Sequence, residues 1–579
     1  MPAVVVMVVV LAIFALGYRF YSAYLAKRVY ALDPAFVTPA HTQRDGVDFV
    51  PTNRHIVFSH HFISVAGAAP IVGPAVAVFW GWGPALLWVV LGTVFAAGVH
   101  DFGALAVSVR HKAKSIGTIA SDVISRRART LFLLIIFFLV TMVNAVFAVV
   151  IANLFQGTPE AVLPVLVTIP LAIGVGQYVY RRRTAALIPS IIALVIVYAC
   201  IPLGQMLPIT LDPVAGALGI EAHTLWIVLI YVYTFFASRL PVWLLLQPRD
   251  YINQHQMTLA LAVILLGVVV GMNTMSAPLV NDVPEGSPPW FPLLFVTIAC
   301  GAVSGFHSLV SSGTTAKQLD KETDARYVGY MGALGEGTLA LCSILACAAG
   351  VAVFANNPRS EWQGLYTDFD TASGSAVGNF TQGVANFANN LFIPVDVGIV
   401  FAAVVVISFA ATSLDTAVRL QRYIIQEIAE IARITPLTRN LTLPTLLAVL
   451  IPFGLAIMPG DFAFGTLWQL FGTTNQLTAG LALAVIAVWV TKNKRNPIAV
   501  LVPLVFLLAM TSWALVVQLV DFATSTDPLQ QFLLAPLDLV IFALAIWLII
   551  EAVVAFRKAW AVRSEAPDVP AEEPSRTDD

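Results

Sequence analysis

The chain has 579 residues, of which 59% are hydrophobic and only 11% are charged. A soluble domain carries about 25% charged residues, so this composition excludes a soluble protein of this length. The net charge of −2 argues against a polyanionic partner such as nucleic acid, and the 4 cysteines lack the spacing of a disulfide framework. Apolar blocks of about twenty residues indicate an all-α, polytopic membrane protein rather than a barrel of short strands.

About fifteen segments are long and apolar enough to cross a bilayer as helices. In chain order they cover residues 3–25, 56–80, 84–108, 131–154, 163–180, 187–207, 225–246, 257–275, 291–312, 329–354, 393–415, 441–458, 463–490, 500–519 and 535–556. The first lacks a basic n-region and a cleavage site, so it is predicted to be a span and not a signal peptide. Residues 1–560 are thus predicted to form the membrane domain, followed by a disordered acidic tail at 561–579.

The basic residues alternate sharply between successive connections. All but three of the 31 lysine and arginine residues fall on every second connection; Arg359 lies in an opposite loop, and Arg19 and Arg239 lie inside spans. Because cytoplasmic loops are enriched in lysine and arginine, the N-terminus is predicted outside and the C-terminus in the cytoplasm. The amphipathic segment 416–434 is predicted to lie along the cytoplasmic membrane face.

The span at 56–80 contains the sequence GAAPIVGP, which a regular helix does not tolerate. Gly67, Pro70, Gly73 and Pro74 together remove more than one backbone hydrogen bond. Inside a membrane, such backbone occurs only where it faces protein or a polar cavity. An interrupted helix that lines a substrate site is therefore predicted here, with a simple proline kink as the alternative.

A second interruption is predicted in the span 225–246, where Ser238, Arg239 and Pro241 stand within an apolar run. This span lies five after the first, so the two enter the membrane from opposite sides. Matched interruptions in five-helix units of opposite topology are typical of inverted-repeat transporters. The sequence therefore predicts a five-plus-five, broken-helix core with repeat one at about 56–207 and repeat two at about 225–415. The spans at 3–25 and 441–556 would be peripheral, and the two interruptions would line the substrate site.

Ionisable residues inside spans are costly and are therefore candidate functional residues. Arg239 stands beside the second interruption, where it would pair either with a substrate carboxylate or with an acid of the protein such as Asp101 or Glu336. His100 and Asp101 would together relay a proton. The alternative is that Asp101 anchors Arg110 or a helix end.

Further candidates for ion coupling lie in other spans. His61 is expected to face the core, since its neighbour His60 points to another side of the helix. Glu336, flanked by glycines, is a second candidate proton carrier. The end of the span 291–312 is rich in hydroxyl groups that either suit a small cation or are bonded within the helix; they include Ser311, Ser312 and Thr314. Asp415 is expected to cap its helix or to pair with Arg419.

Four stretches occur in the order found in a known family, which the chain resembles through most of residues 50–420. They are HHFISVAGAAPIVGP at 60–74, AAGVHDFGALAVSVRHKAKSIG at 96–117, RLPVWLLLQPRDYIN at 239–253 and SGFHSLVSSGTTAKQL at 304–319. They resemble the carbon starvation protein A family. The resemblance implies a multi-pass transporter of the bacterial inner membrane for peptides, or for pyruvate with protons, during nutrient limitation. It also implies the broken-helix, inverted-repeat fold. Where this chain has Arg239 the family commonly has an apolar residue, which implies a more anionic substrate or a local ion pair.

The predicted function is secondary active import of a small carboxylate-bearing nutrient, pyruvate or a short peptide, by symport with protons; sodium is the alternative ion. Arg239 would hold the carboxylate, and His61, Asp101 or Glu336 would carry the proton. The chain contains no GxxxxGK[ST] sequence, so ATP is not expected to be the direct energy source. The expected partners are substrate, ion and membrane lipid, and no cofactor, metal or nucleic acid is predicted.

Two other functions stay open on the residues alone. One is a metal-binding membrane enzyme or sensor that uses the intramembrane histidines His60, His61, His100 and His307. Their spacing matches no standard metal motif. The other is a passive channel, which would let a substrate equilibrate without accumulation.

Overall fold

The computed structural model describes residues 1–46, 48–182, 185–459 and 462–565. The main helices are, in chain order, Ala3–Val29 (α1), Arg54–Val65 (α2), Ala69–Trp80 (α3), Trp82–Arg110 (α4), Arg126–Gly157 (α5), Pro159–Arg182 (α6), Leu187–Met206 (α7), Asp212–Leu218 (α8), Ala222–Ala237 (α9), Leu246–Gly271 (α10), Trp290–Thr297 (α11), Phe306–Gly313 (α12), Arg326–Gly350 (α13), Val395–Ile431 (α14), Thr442–Ala456 (α15), Leu467–Lys492 (α16), Ile498–Thr524 (α17) and Gln530–Arg563 (α18). Smaller helices cover Pro39–Thr42, Ile116–Val123, Ala299–Ala302, Pro358–Leu365, Phe369–Gly374, Ala376–Asn389 and Thr435–Arg439. The tail predicted to be disordered from residue 561 is helical at 561–565, where it continues the last helix, and its remainder from residue 566 on lies outside the described residues.

Within the described ranges, 11 helices are long and apolar enough to cross a membrane. Two further pairs, α2 with α3 and α8 with α9, meet the same test together and are bent by 49° and 97°. The chain is thus an all-helical polytopic membrane protein with 11 to 13 candidate spans. The sequence predicted about fifteen because the segment 291–312 is divided among short helices and the segment 441–458 forms a helix of only 15 residues.

The helices separate into an inner bundle and an outer layer. Helix α16 is buried along its whole apolar length, and α5, α13 and α14 are buried along most of theirs. Only about a third or less of the most apolar stretch of helices α6, α7, α10 and α18 is buried. A helix that is apolar all round and buried belongs to the core of a bundle, whereas an exposed apolar surface fits contact with lipid. The interrupted segments lie inside the inner bundle.

The first interruption lies where the sequence predicts it. Helix α2 ends at Val65 and α3 begins at Ala69. Pro70 stands in the first turn of α3, where its missing N–H removes no intrahelical hydrogen bond. A Cβ added to Gly67, in the break itself, would stand 2.7 Å from the Ser413 hydroxyl of α14. The break therefore packs closely against α14, and a larger residue there would have to displace the Ser413 side chain.

The sequence around Arg239 does not interrupt a span, which corrects the expected second interruption. Residues 238–245 connect the end of α9 to the start of α10. The carbonyl oxygen of Leu240 accepts a hydrogen bond from Arg419 Nη2 at 2.7 Å, and that of Ser238 accepts one from Arg422 Nη1 at 3.1 Å. Cationic side chains near a helix C-terminus satisfy its last carbonyl groups. The polar residues and the proline here thus mark a helix end.

The segment that packs against the first interruption is residues 290–313. It consists of α11, an irregular turn and α12. Gly301, in the irregular turn, has a φ of +95°, a conformation that favours glycine, and it lies against Pro70. A Cβ added to Gly73 would overlap the carbonyl oxygen of Thr297. The two interrupted segments thus touch backbone to backbone in the middle of the bundle.

Gly73→Ala is expected to destabilise the protein, because the added methyl group would collide with backbone rather than with a flexible side chain. Overpacking of this kind costs about 1–3 kcal/mol. We expect a lower melting temperature and a lower yield of monodisperse protein in detergent. Gly174→Ala in α6 is the matched control, since a Cβ there meets nothing within 4 Å. Equal melting temperatures for the two variants would contradict the close approach of the interrupted segments.

Candidate functional site

Two histidines and two acids form a continuous buried chain, which we call the histidine–acid chain. Asp101 accepts a hydrogen bond from His100 Nδ1 at 2.7 Å through Oδ1, and one from His307 Nδ1 at 2.8 Å through Oδ2. The Nε2 atom of His307 lies 3.3 Å from Glu336 Oε1. None of the four side chains is more than 1% exposed. The order His100–Asp101–His307–Glu336 brings together helices α4, α12 and α13.

The far end of the chain reaches an interrupted segment. Glu336 lies beside the backbone N–H of Gly301, in the irregular turn between α11 and α12. The chain therefore leads from α4 to the contact between the two interruptions. Three of its members, His100, Asp101 and Glu336, were expected from the sequence to couple an ion. His307 was considered there only as a metal ligand.

His61 stands next to the histidine–acid chain without a hydrogen bond to it. Its Nδ1 atom lies 3.0 Å from Thr315 Oγ1, and its Nε2 atom is buried without a partner among the described residues. A Cβ added to Gly332 would stand 2.9 Å from the His61 ring. Gly332 precedes Glu336 by one helical turn on the same face of α13. His61 is thus placed within about one turn of the chain.

The hydroxyl groups expected to suit a small cation are mostly engaged within their own helix. Ser312 and Thr314 each donate to the carbonyl oxygen four residues earlier, at 2.6 and 3.0 Å. Ser311 is buried and has no partner among the described residues. Among the part of the chain that the structure describes, no group of three or more His, Cys, Asp or Glu side chains is placed to hold a metal ion.

Only half of the expected substrate-binding residues lie in the core. Gly67, Pro70 and Gly73 form the first interruption and its contact with residues 290–313. The other three do not reach it: Arg239 is exposed and lies 5.3 Å over the Phe235 ring, the Ser238 hydroxyl donates to the Phe235 carbonyl oxygen, and Pro241 is exposed. Arg239 therefore pairs neither with Asp101 nor with Glu336.

Sequence reasoning missed a second buried ionic cluster, which lies on α10. Arg249 Nη1 donates to Asp415 Oδ2 and to the Tyr233 hydroxyl, and Asp250 Oδ2 accepts from His60 Nδ1 at 2.9 Å. The charge pattern placed Arg249 in a cytoplasmic connection, and Asp415 was expected to cap its helix or to pair with Arg419. The available signal was the adjacent pair of opposite charges inside RLPVWLLLQPRDYIN, one of the four stretches that carry the resemblance.

Two cavities flank these clusters. The larger, of about 700 Å³, lies at one end of the bundle between α12, α14 and residues 113–117, and its lining includes Ser312, Lys317, Glu427 and Arg433. The smaller, of about 390 Å³, lies between α5, α6, α9, α10 and α14, and Arg249 is among its few polar lining residues.

The family model and the similar relatives point to the same protein family. Residues 2–514 match the model of the family described as carbon starvation protein CstA. The chain is 34% identical over 566 residues to the peptide transporter CstA of Campylobacter jejuni, covering 88% of this chain and 79% of that one. It is 32% identical over 601 residues to the pyruvate/proton symporter BtsT of Escherichia coli, covering 90% and 82%.

The chain is also 31% identical over 547 residues to the peptide transporter CstA of Bacillus subtilis, covering 89% of this chain and 90% of that one. Among solved structures, MhsT in complex with L-phenylalanine superimposes with a TM-score of 0.47 at 11% identity, covering 88% of this chain and 99% of that one. On the family match and its relatives, the chain belongs to the carbon starvation protein CstA family, and it is a membrane transporter and not an enzyme.

Proposed function

We propose that this protein imports a small carboxylate-bearing nutrient, a short peptide or pyruvate, across the bacterial plasma membrane by secondary active transport coupled to protons. The observation that carries the proposal is the histidine–acid chain. Four titratable groups in contact give a proton a series of short transfers through a region where isolated charges would be costly. The named activities of the relatives, peptide transport and pyruvate/proton symport, support the same class of function.

The contacts between helices favour an inverted-repeat core that begins its second unit at residue 290. The interrupted pair α2–α3 touches residues 290–313, α4 packs against α13, and α5 packs against α14. These are the first, second and third helices of two units. Helices α9 and α15 pack against the third helix of their own unit, and α10 and α16 pack against the first. We therefore propose the units 54–271 and 290–492 in place of 56–207 and 225–415.

In this arrangement α6 and α7 form a hairpin inserted into the first unit. The two interrupted segments begin an odd number of spans apart, so they enter the membrane from opposite sides, as inverted repeats require. With the N-terminus outside, the larger cavity opens toward the cytoplasm, because the basic residues Lys317 and Arg433 line it. A substrate released from the interruptions would leave through this cavity.

The function is tested with purified protein in proteoliposomes, using labelled pyruvate and a labelled dipeptide under separately imposed proton and sodium gradients. We expect an inward proton gradient to drive accumulation of one of the two substrates above equilibrium, and a protonophore to abolish it. Accumulation driven only by a sodium gradient would show that the coupling ion is sodium and not the proton. Flux to equilibrium without accumulation under either gradient would indicate a channel.

A further inference from the structure

The smaller cavity has no part in the function proposed above. Its walls are mainly apolar and include Phe155, Ile169, Trp226 and Ile407. Its volume of about 390 Å³ falls in the range of sites for small organic ligands. Such sites are lined mostly by apolar side chains and carry a few polar groups that orient the ligand.

An arginine in this cavity has an unused edge. Arg249 is 3% exposed, and its Nη1 atom is occupied by Asp415 and Tyr233. Its Nε and Nη2 atoms are buried and have no partner among the described residues. These two atoms form the side-on edge of the guanidinium, which binds both oxygens of a carboxylate through parallel N–H bonds. Both atoms are closed to water in this structure, so a second carboxylate would meet them only after neighbouring side chains move.

An unused hydrogen-bond acceptor, on Asn253, lies one helical turn from Arg249 on α10. Asn253 lines the same cavity, and its Nδ2 atom donates to Thr412 Oγ1 at 2.7 Å and to the Ser408 carbonyl oxygen at 3.3 Å. Because a carbonyl oxygen only accepts, this contact fixes the orientation of the amide. Asn253 Oδ1 is left buried without a donor among the described residues, which is costly unless a ligand supplies one.

Together these groups specify the ligand. Arg249 and Asn253 are four residues apart and so lie on one face of α10. The two donors of Arg249 match the C-terminal carboxylate of a peptide. The acceptor, Asn253 Oδ1, matches the amide N–H of the same C-terminal residue. A 2-oxo acid such as pyruvate carries the carboxylate but has no N–H donor.

The charges around the cavity favour the same ligand. Arg249 and Asp415 form a buried ion pair, so the guanidinium charge is already balanced. A simple carboxylate would bring a further uncompensated charge into a buried region, which is expensive. A zwitterionic dipeptide brings its own ammonium group, which offsets part of the carboxylate charge.

We propose that the smaller cavity binds the C-terminal residue of a short peptide. Arg249 holds the carboxylate through Nε and Nη2, Asn253 Oδ1 accepts the last peptide N–H, and the apolar walls receive the C-terminal side chain. The proposal rests on the transport function above and assigns its substrate class to a site away from the interrupted helices.

Three ligands test the site on the unchanged protein. Full-length protein in lipid nanodiscs is titrated calorimetrically with L-alanyl-L-phenylalanine, with its C-terminal amide, and with phenylpyruvate. The C-terminal amide cannot form the bidentate pair with Arg249, so it should bind at least about 30-fold more weakly than the dipeptide. Phenylpyruvate lacks the N–H donor and should bind about tenfold more weakly than the dipeptide. Equal binding of the dipeptide and its amide, or no binding of the dipeptide, would overturn the proposal.

Variants then locate the site. Arg249→Lys keeps a cation beside Asp415 but removes the side-on edge, and should weaken dipeptide binding by about 30-fold. Asn253→Leu should remove the preference for the dipeptide over phenylpyruvate, and Ala411→Phe should fill the cavity and prevent binding. Arg239→Lys, at the exposed arginine, is the matched control and should bind like the wild type. Unchanged binding in both Arg249→Lys and Ala411→Phe would place the peptide elsewhere.

Binding and transport can fail separately. Glu336→Gln should still discriminate the dipeptide from its C-terminal amide and yet fail to accumulate the dipeptide. If the wild type accumulates the dipeptide but Arg249→Lys binds it normally, the cavity assignment falls and the transport function stands. If the wild type binds through Arg249 but accumulates nothing under either gradient, the transport function falls and the binding site stands.

Discussion

Asp101→Asn is expected to uncouple transport from protons. Accumulation driven by an imposed proton gradient should fall by at least about tenfold, since a positioned acid–base group typically contributes more than this. Asp101 is the anion between the imidazoles of His100 and His307. Asparagine keeps its shape but carries no charge to stabilise a protonated histidine. Exchange of labelled for unlabelled substrate, which needs no net proton movement, should persist.

Parallel measurements in proteoliposomes separate this effect from loss of folding. Asp368→Asn is the control, because Asp368 is an exposed residue that caps a short helix, accepting hydrogen bonds from the Thr371 backbone N–H and from the hydroxyls of Thr367 and Thr371. Glu336→Gln, at the opposite end of the histidine–acid chain, should reproduce the phenotype of Asp101→Asn. If proton-driven accumulation survives in both variants, the histidine–acid chain has a structural role only.

The buried pair of Arg249 and Asp415 should show a strongly non-additive effect on stability. Asp415→Leu leaves the guanidinium buried without its counter-ion, which costs about 3–5 kcal/mol. Arg249→Met leaves the carboxylate in the same position and should cost a similar amount. The double variant removes both charges, and apolar replacement of a buried ion pair is often neutral. Its melting temperature in detergent should therefore recover most of the loss of either single variant.

The same double variant separates stability from recognition. It should be folded and monodisperse, and it should still fail to bind L-alanyl-L-phenylalanine. Single variants as stable as the wild type would mean that the pair is hydrated and contributes little. A double variant less stable than both single variants would contradict the expected coupling.

Hydropathy and charge predicted the helical membrane fold, but they identified only one interrupted segment. The break near Gly67 is visible because two glycines and two prolines crowd one apolar span. The polar residues and the proline near Arg239 gave a similar signal, but they belong to a helix end capped from α14. The turn at Gly301 contains no proline, and its backbone is irregular where it packs against α3. That cause is tertiary and leaves little trace in the local sequence.

The candidate site was predictable where a charge interrupts an apolar run. His100, Asp101 and Glu336 were found for this reason, and the structure adds His307 as the link between the two acids. Arg249 and Asp250 were missed because polar residues lower the hydropathy at the start of α10, so that the helix was taken to begin near residue 257. Similarly, the amphipathic segment 416–434 continues α14 to Ile431 without a break, although it was expected to lie along the membrane face.

Helix α14 contacts the connection between α9 and α10 at two points and the start of α10 at a third. Asp415, Arg419 and Arg422 recur at helical spacing on one face of α14, and they bind Arg249, Leu240 and Ser238 respectively. Rotation of α14 about its own axis would break all three contacts at once, whereas a tilt that carries residues 238–249 along preserves them. Because α14 also lines the larger cavity, a tilt of α14 there would carry Arg249 of the smaller cavity with it.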